Sequence, residues 1–195
     1  MRAGVDDLAW WVVYIFRNVA FRPIDESDLE TLRALRNDMT TLLQLGTIDP
    51  VSSEQQLSWW KNLKMDGPDR RYTIVSVPAN EIVGMLRIRD LDSVNAHCEI
   101  GLDILPELRG KGYGRASYLM VLEYLFEHYN MHMVYLRVAD FNDRAKQLYA
   151  RLGFVETGRY REYLYRHGRY WDYVIMAMLR DQYLQLRQAL EASPS

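Results

Sequence analysis

A glycine-rich run in the middle of the chain has the residue types and spacing of an anion-binding loop. It reads L-P-E-L-R-G-K-G-Y-G-R-A over residues 105–116, and Arg109, Gly112 and Gly114 form an R-x-x-G-x-G core. Together with Gly110, the two glycines let the backbone bend and approach a ligand closely. A helix-like run follows, and the free N–H groups in the first turn of a helix attract an anion.

Two cationic residues, Lys111 and Arg115, add full charges to this loop. The pattern therefore favours binding of a phosphate or pyrophosphate, although it also occurs in plain connections between a strand and a helix. A P-loop is excluded because no Lys-Ser or Lys-Thr pair follows a glycine. A dinucleotide-binding fold is disfavoured because the loop lies mid-chain and its glycines follow a different order.

The whole chain has the size and composition of one globular domain. It has 195 residues, of which 49% are hydrophobic and 26% charged, and its net charge is −2. This length is sufficient for a substantial core. The small negative net charge argues against a general nucleic-acid-binding protein, which would carry a basic excess.

Cysteine usage limits the chemistry further. Cys98 is the single cysteine, so an internal disulfide and a cysteine-based metal site are excluded. A lone cysteine fits a reducing, cytoplasmic compartment. We expect no bound metal.

The N-terminal region contains an apolar segment, L-A-W-W-V-V-Y-I-F, over residues 8–16. A membrane-spanning helix needs about 20 such residues, and a signal peptide would have a more basic start and a small-residue cleavage site. We therefore expect no membrane association. The segment is interpreted as an extra element packed on the domain, a dimer contact or an upstream extension of the natural start.

Hydrophobic periodicity and turn residues predict an α+β (mixed α/β) fold. Its central sheet is mixed and mostly antiparallel, with helices on its faces. The predicted domain covers residues 19–180, between an N-terminal extension (1–18) and a C-terminal helix and tail (181–195). Strands are predicted over residues 19–24, 71–77, 81–91, 96–105, 131–138, 154–163 and 169–179, and helices over residues 25–37, 52–64, 115–129, 142–152 and 181–192.

Two helix starts and one strand carry local signals. Ser27 with Glu30, and Ser52 with Gln55, have the spacing of capping boxes. Alternation along residues 96–105 puts apolar side chains on one face and Glu99, Gly101 and Asp103 on the other.

A second motif and the order of elements give the chain a family resemblance. The loop matches the acyl-CoA motif Q/R-x-x-G-x-G/A, and N-D-R-A-K-Q-L-Y-A-R-L-G-F over residues 142–154 matches N-x-x-A-x-x-L-Y-x-x-x-G-F at every fixed place. Together they resemble the GNAT superfamily, the Gcn5-related N-acetyltransferases, over about residues 19–180. The stretches at 98–102 and 158–172 look most like the ribosomal-protein alanine N-acetyltransferases and their small-molecule relatives. Residues 52–60 with Arg71-Tyr72 loosely resemble enzymes acting on amino-sugar nucleotides.

The resemblance implies acetyl transfer from acetyl-CoA to a primary amine. It implies that Ile104 and Leu105, at the end of a strand, pair with the pantetheine amides. Asn142 would bond the pantetheine arm, and Arg144 would meet the ribose phosphate unless it lies on an exposed helix face. Backbone N–H groups of the loop would hold the pyrophosphate, with the binding residues Arg109, Gly110, Lys111, Gly112, Tyr113, Gly114 and Arg115.

The resemblance also implies two catalytic residues. Tyr149 would protonate the departing thiolate, and its alternative is a core tyrosine on an apolar helical stripe. Glu99, on the polar face of the strand before the loop, is the candidate general base. Its alternative is to orient substrate or to pair with an arginine. The opposing function is a non-catalytic acyl-CoA-binding regulatory protein on the same fold.

The acceptor region is the least determined part of the sequence. The resemblance assigns it to the first two helices and the last hairpin, which are rich in aromatic and basic residues. These residues could stack on a sugar or base and meet a phosphate, as an amino-sugar nucleotide would require. They could equally form a homodimer surface. They are Trp59, Trp60, Tyr160, Arg161, Tyr163, Tyr165, Arg166, Arg169, Tyr170 and Trp171.

Overall fold

A computed structural model describes residues 12–192 of the chain and contains an eight-stranded sheet. The strands are β1 (Tyr14–Phe16), β2 (Val19–Arg22), β3 (Arg70–Ser76), β4 (Ile82–Asp92), β5 (His97–Ile104), β6 (Met133–Ala139), β7 (Val155–Arg166) and β8 (Arg169–Leu179). Their spatial order is β1-β2-β3-β4-β5-β6-β8-β7, and only β5 and β6 pair in parallel. The predicted mixed, mostly antiparallel sheet is confirmed.

Six α-helices accompany the sheet within residues 12–192. They are α1 (Leu29–Asn37), α2 (Met39–Leu42), α3 (Ser53–Lys61), α4 (Tyr113–Glu123), α5 (Asp143–Leu152) and α6 (Arg180–Ala192). The capping box of Ser52 and Gln55 is confirmed at the start of α3. The one predicted at Ser27 and Glu30 is wrong: a short helical turn begins earlier, so Asp25 and Asp28 form the box.

The apolar segment near the N-terminus falls partly outside the described residues. Its last three residues form β1, which pairs with β2 at the edge of the sheet. The Tyr14 hydroxyl donates a hydrogen bond to Glu123 at the end of α4. This part of the segment therefore packs on the domain as an extra strand. No helix within residues 12–192 is long and apolar enough to cross a membrane.

Helices cover the two faces of the sheet unequally. The main core joins α4 to β4 and β5 through fully buried side chains such as Leu86, Ile88 and Met120. On the opposite face, Met85 packs with Leu29 of α1 in a smaller cluster that α3 completes. Because neighbouring residues of a strand point to opposite faces, β4 serves both clusters.

The parallel pairing of β5 and β6 ends before either strand does. Three cross-strand pairs join them, from His97–Met133 to Glu99–Tyr135. Strand β5 then continues to Ile104 and β6 to Ala139. The sheet therefore has an opening at its centre, between the strand that leads into the glycine loop and the strand that leads into α5.

Candidate active site

A cleft of about 740 Å³ occupies this opening. It is lined by the last residues of β5 and β6, the glycine loop and α5, with α2 on the far side. Side chains from β4, α4 and β8 reach it as well: Arg87, Tyr118 and Tyr173. The cleft therefore brings together both sequence motifs.

The glycine loop has the conformation that an anion cradle requires. Gly110 has φ +83° and Gly112 has φ +88°, a left-handed conformation that costs an L-residue about 1–2 kcal/mol. Gly112 caps the N-terminus of α4, so the first N–H groups of that helix have no partner within it. No described residue bonds the N–H of Gly110, Lys111 or Gly112. Several N–H donors are thus available to an anionic ligand.

Four cationic residues surround this loop. The Arg144 guanidinium lies about 3.5 Å from where a Cβ on Gly110 would be. Lys111 and Arg115, both exposed, line a second cleft of about 220 Å³ with Arg17. No local pattern points to Arg17, because only the pairing of β1 with β2 brings their turn to the start of α4.

Arg109 uses its side chain to fix the loop in place. Its Nε donates to the carbonyl of Ile104 over 2.9 Å, and its Nη1 donates to Thr40 over 2.6 Å. Nη2 donates to Thr41 of α2. The guanidinium therefore holds the loop against the end of β5 and against α2, and the Arg109 N–H is itself bonded to the carbonyl of Pro106 over 3.3 Å.

The residues on the open edge of β5 differ in part from the pair predicted to bind the pantetheine amides, Ile104 and Leu105. The Leu105 N–H donates to Val83 of β4 over 2.9 Å, so Leu105 points its amide away from the opening. The antiparallel ladder alternates, and Leu102 therefore turns its N–H and carbonyl toward the opening. Ile104 keeps its N–H there, while its carbonyl accepts the bond from Arg109.

Asn142 and Gly153 set the limits of α5. The Asn142 side-chain oxygen accepts the N–H of Ala145 over 3.1 Å, and Asn142 lines the cleft. Gly153 ends the helix with φ +95°. These caps fix α5 and with it the position of Tyr149.

Tyr149 lies inside the cleft, beside a buried tyrosine. The Tyr118 hydroxyl donates to the Tyr149 hydroxyl over 2.9 Å, and the two rings meet edge to face. Burial raises the pKa of Tyr149 to about 12, although the bond from Tyr118 acts in the opposite direction. Tyr149 therefore keeps its proton at neutral pH and can donate it into the cleft.

Glu99 is enclosed by two arginines. Arg137 donates from Nε over 3.0 Å and from Nη2 over 2.6 Å, and Arg89 donates from Nη2 over 2.9 Å. Burial raises the pKa of the Glu99 carboxyl, but these bonds outweigh burial and leave the pKa below 4.5. These contacts match the arginine-pairing alternative for Glu99.

Asp103, on the same face of β5, pairs with Arg87 of β4. The Arg87 guanidinium lies over Gly101, where a Cβ would come within 3.0 Å of Nη2. Both charged side chains line the cleft. Asp103 therefore belongs to an ion pair on the wall of the cleft.

The aromatic residues proposed for the acceptor region separate into two groups. Trp60 donates its indole N–H to the carbonyl of Ile24 over 2.8 Å and packs in the smaller core cluster. Tyr163 is exposed and stacks on Tyr173, which lines the cleft. None of the residues proposed for the acceptor region lines this cleft in the described part of the chain, and Tyr163 adjoins it only through Tyr173.

The histidines do not form a metal site in this structure. His128 and His132 are four residues apart, a spacing that puts both on one face of a continuous helix. The helical turn ends at His128, however, and Asn130 has φ +55°. No group of three or more potential metal ligands occurs among residues 12–192.

Comparison with known proteins identifies the family of this chain. The family model of the acetyltransferase (GNAT) domain matches residues 18–155. Spermidine N(1)-acetyltransferase of Vibrio cholerae is 29% identical over 167 residues, which are 85% of this chain and 95% of the relative. Phosphinothricin N-acetyltransferase of Streptomyces coelicolor is 30% identical, covering 79% of this chain and 92% of the relative.

A solved structure shares the fold. The crystal structure of spermidine N-acetyltransferase from Vibrio cholerae in complex with CoA and spermine has a TM-score of 0.79 and 27% identity, covering 86% of this chain and 98% of that one. The GNAT family uses acetyl-CoA as its co-substrate. On the family match, the fold and the two motifs at one cleft, this chain belongs to the GNAT acetyltransferase family.

Proposed function

We propose that the chain transfers the acetyl group of acetyl-CoA directly to a primary amine while both are bound in the cleft. The observation that carries this proposal is the Tyr149 hydroxyl in the same opening as the unpaired edge of β5 and the glycine loop. Relatives named for the acetylation of spermidine and of phosphinothricin support an amine acceptor. Acetyl-CoA supplies the acetyl group as an activated thioester.

Different residues bind the different parts of acetyl-CoA. Free N–H groups from Gly110 to the first turn of α4 hold the pyrophosphate. Leu102 and Ile104 pair with the pantetheine amides as an added strand would, and Asn142 donates to the same arm. The cationic residues of the second cleft and Arg144 face the remaining phosphate.

Tyr149 acts as the general acid in this proposal. Its hydroxyl carries a proton at neutral pH, as any tyrosine does, and burial raises its pKa further to about 12. Tyr118 donates to the Tyr149 oxygen, so the proton of Tyr149 is free to pass to the departing thiolate. Proton donation of this kind contributes about 10²–10⁴-fold to a rate.

The acceptor amine must lose a proton before it attacks. For an amine with a pKa near 10.4 this costs roughly 4–5 kcal/mol at pH 7. Glu99 was the candidate base, but a carboxylate held by Arg89 and Arg137 with a lowered pKa accepts a proton poorly. We therefore assign Glu99 to positioning these arginines, and the ammonium proton passes to bulk solvent through the open cleft before the neutral amine attacks.

Thiol release with acetyl-CoA and a panel of amines tests the proposal, alongside thermal unfolding with and without acetyl-CoA. We expect acetyl-CoA to raise the unfolding temperature and at least one primary amine to release thiol. Stabilisation without release from any amine would favour the regulatory protein on the same fold. Absence of stabilisation at saturating acetyl-CoA would overturn the assignment of the glycine loop.

A further inference from the structure

One face of the sheet beside the cleft carries an unusual concentration of arginines. We call it the arginine floor, and it comprises Arg71, Arg87, Arg89 and Arg137 from the strands and Arg36 from α1. Each of these side chains is partly buried. Arg87 and Arg137 line the main cleft itself.

Strand register explains how the floor is assembled. Arg71 of β3 is paired directly with Arg87 of β4, and Arg87 with Gly101 of β5. The next row pairs Arg89 with Glu99. Like charges directly opposite each other on neighbouring strands destabilise a sheet, so the Arg71–Arg87 pair is a cost that the fold alone does not explain.

Two acidic side chains, Glu99 and Asp103, lie within the floor, so cations outnumber anions. Arg87 pairs with Asp103, while Arg89 and Arg137 share Glu99. The other acidic groups nearby, Asp49, Asp69 and Asp90, are exposed at the rim, where solvent screens them.

Arg71 and Arg36 are the two members without an ion pair among the described residues. Arg71 donates only to the carbonyls of Arg70 and Ile88, over 2.9 and 3.3 Å. Burial and the neighbouring Arg87 lower its pKa to about 10. The Arg36 Nη1 is buried with no hydrogen-bond partner, although Nη2 donates to Thr47. An orphaned buried donor marks a place where an acceptor is missing.

We infer that the acceptor is a primary amine that also carries an anionic group, a carboxylate or a phosphate, and that the arginine floor binds this group. The inference rests on the proposed acetyl transfer and names its substrate class. An anionic oxygen group satisfies the arginine donors in a bidentate manner. A polycation such as spermidine would instead bring further positive charge to a floor that already has an excess.

Matched amines with the same chain length test the inference directly. Butylamine, putrescine and γ-aminobutyrate differ at the far end in being apolar, cationic and anionic. Phosphinothricin, glucosamine phosphate and spermidine extend the comparison to larger acceptors. Binding is measured by calorimetry on the CoA-loaded protein, and turnover by thiol release with acetyl-CoA.

We expect the anionic amines to bind and react with a kcat/KM at least about tenfold above that of the cationic ones. The advantage should shrink as salt rises. Carboxylate and phosphate probes then identify which anionic group is preferred. Spermidine reacting as well as the anionic amines would overturn the inference and leave the proposed transfer intact.

Variants at Arg71 locate the anion. Arg71→Gln should raise the KM for the preferred anionic amine about tenfold or more with little change in kcat or in the KM for acetyl-CoA. Arg71→Lys should restore much of the affinity, since it keeps the charge. Arg33→Gln, on α1 and paired with Glu30, is the matched control and should change neither constant.

The remaining outcomes are also decisive. Anionic amines that bind, with no amine of the panel releasing thiol, would support the floor and overturn the transfer reaction; anionic amines that bind while only other amines react would overturn the inference. If no anionic amine binds the CoA-loaded wild-type protein, the inference fails whatever the variants do. The wild-type comparison also decides the matter if Arg71→Gln does not fold.

Discussion

The Tyr118 hydroxyl donates a hydrogen bond to the Tyr149 hydroxyl over 2.9 Å, from α4 to α5 across the end of the cleft. Tyr118 is 3% exposed, whereas Tyr149 is partly buried and lines the cleft. The buried tyrosine therefore fills one acceptor position of the Tyr149 oxygen, and the Tyr149 proton is not used in this bond.

Replacing Tyr149 by Phe should lower kcat by about 10²-fold, because the leaving thiolate loses its proton donor. The KM for acetyl-CoA should change little, since the cradle and the edge of β5 remain. Steady-state thiol release at saturating amine measures both constants. A kcat within twofold of the wild type would show that Tyr149 is not the acid.

Tyr118→Phe separates orientation from proton donation. It leaves the Tyr149 proton in place and removes only the bond that directs it, so we expect a smaller fall in kcat than for Tyr149→Phe. The two variants should be far from additive because they act on one hydrogen-bonded pair. An additive double variant would contradict the proposed orientation of Tyr149 by Tyr118.

Glu99→Gln tests the difference between a base and a positioning residue. If Glu99 positions Arg89 and Arg137, the variant should raise the KM for the amine while the pH dependence of kcat keeps its shape. If Glu99 is the base, kcat should collapse and lose its dependence on a carboxylate. A pH profile of both proteins measures the distinction.

Local patterns predicted the elements that carry the motifs. The glycines at 110 and 112 and the capping box of Ser52 and Gln55 each act within a few residues of chain. The alternation of β5 was readable for the same reason. Features with a short sequence separation are therefore where the sequence is informative.

Contacts between residues that are far apart in the sequence could not be predicted from local patterns. Glu99 meets Arg89, 10 residues away, and Arg137, 38 residues away, and both contacts depend on the order β4-β5-β6. The same strand order determines which edge of β5 faces the opening. This explains why the N–H of Leu105 points away from the opening. A single sequence contains no signal for strand order at that range.

Gly112→Ala should weaken acetyl-CoA binding and destabilise the fold by about 1–2 kcal/mol. No other group lies within 4 Å of the added methyl, so the loss of stability comes from the left-handed φ. The weaker binding comes from the methyl group crowding the bound pyrophosphate. Calorimetric titration with CoA and urea unfolding measure the two effects. Gly46→Ala, also in open space but without a left-handed φ, is the matched control and should leave CoA binding unchanged.

A buried ion pair just before the start of α1 should make the free energy of unfolding fall at acidic pH. Asp28 is 2% exposed and accepts hydrogen bonds from Arg22 over 2.7 Å and from Thr73 over 2.7 Å. Burial raises the pKa of Asp28, but these bonds and the N–H of Asp25 lower it below 3.8. The unfolded chain therefore binds a proton at a higher pH than the folded protein does.

The direction of this pH dependence follows from the difference in bound protons between the unfolded and the folded state. The contribution of Asp28 to stability is complete above pH 3.8 and is lost as the pH falls through the lower pKa of the folded state. Asp28→Asn should cost about 3–5 kcal/mol at neutral pH, because it leaves Arg22 without its buried carboxylate. It should also remove part of the loss of stability below pH 3.8.

Urea unfolding at several pH values measures both, and Glu30→Gln on the surface of α1 is the control. Equal slopes for wild type and Asp28→Asn in acid would show that Asp28 is not the group that titrates.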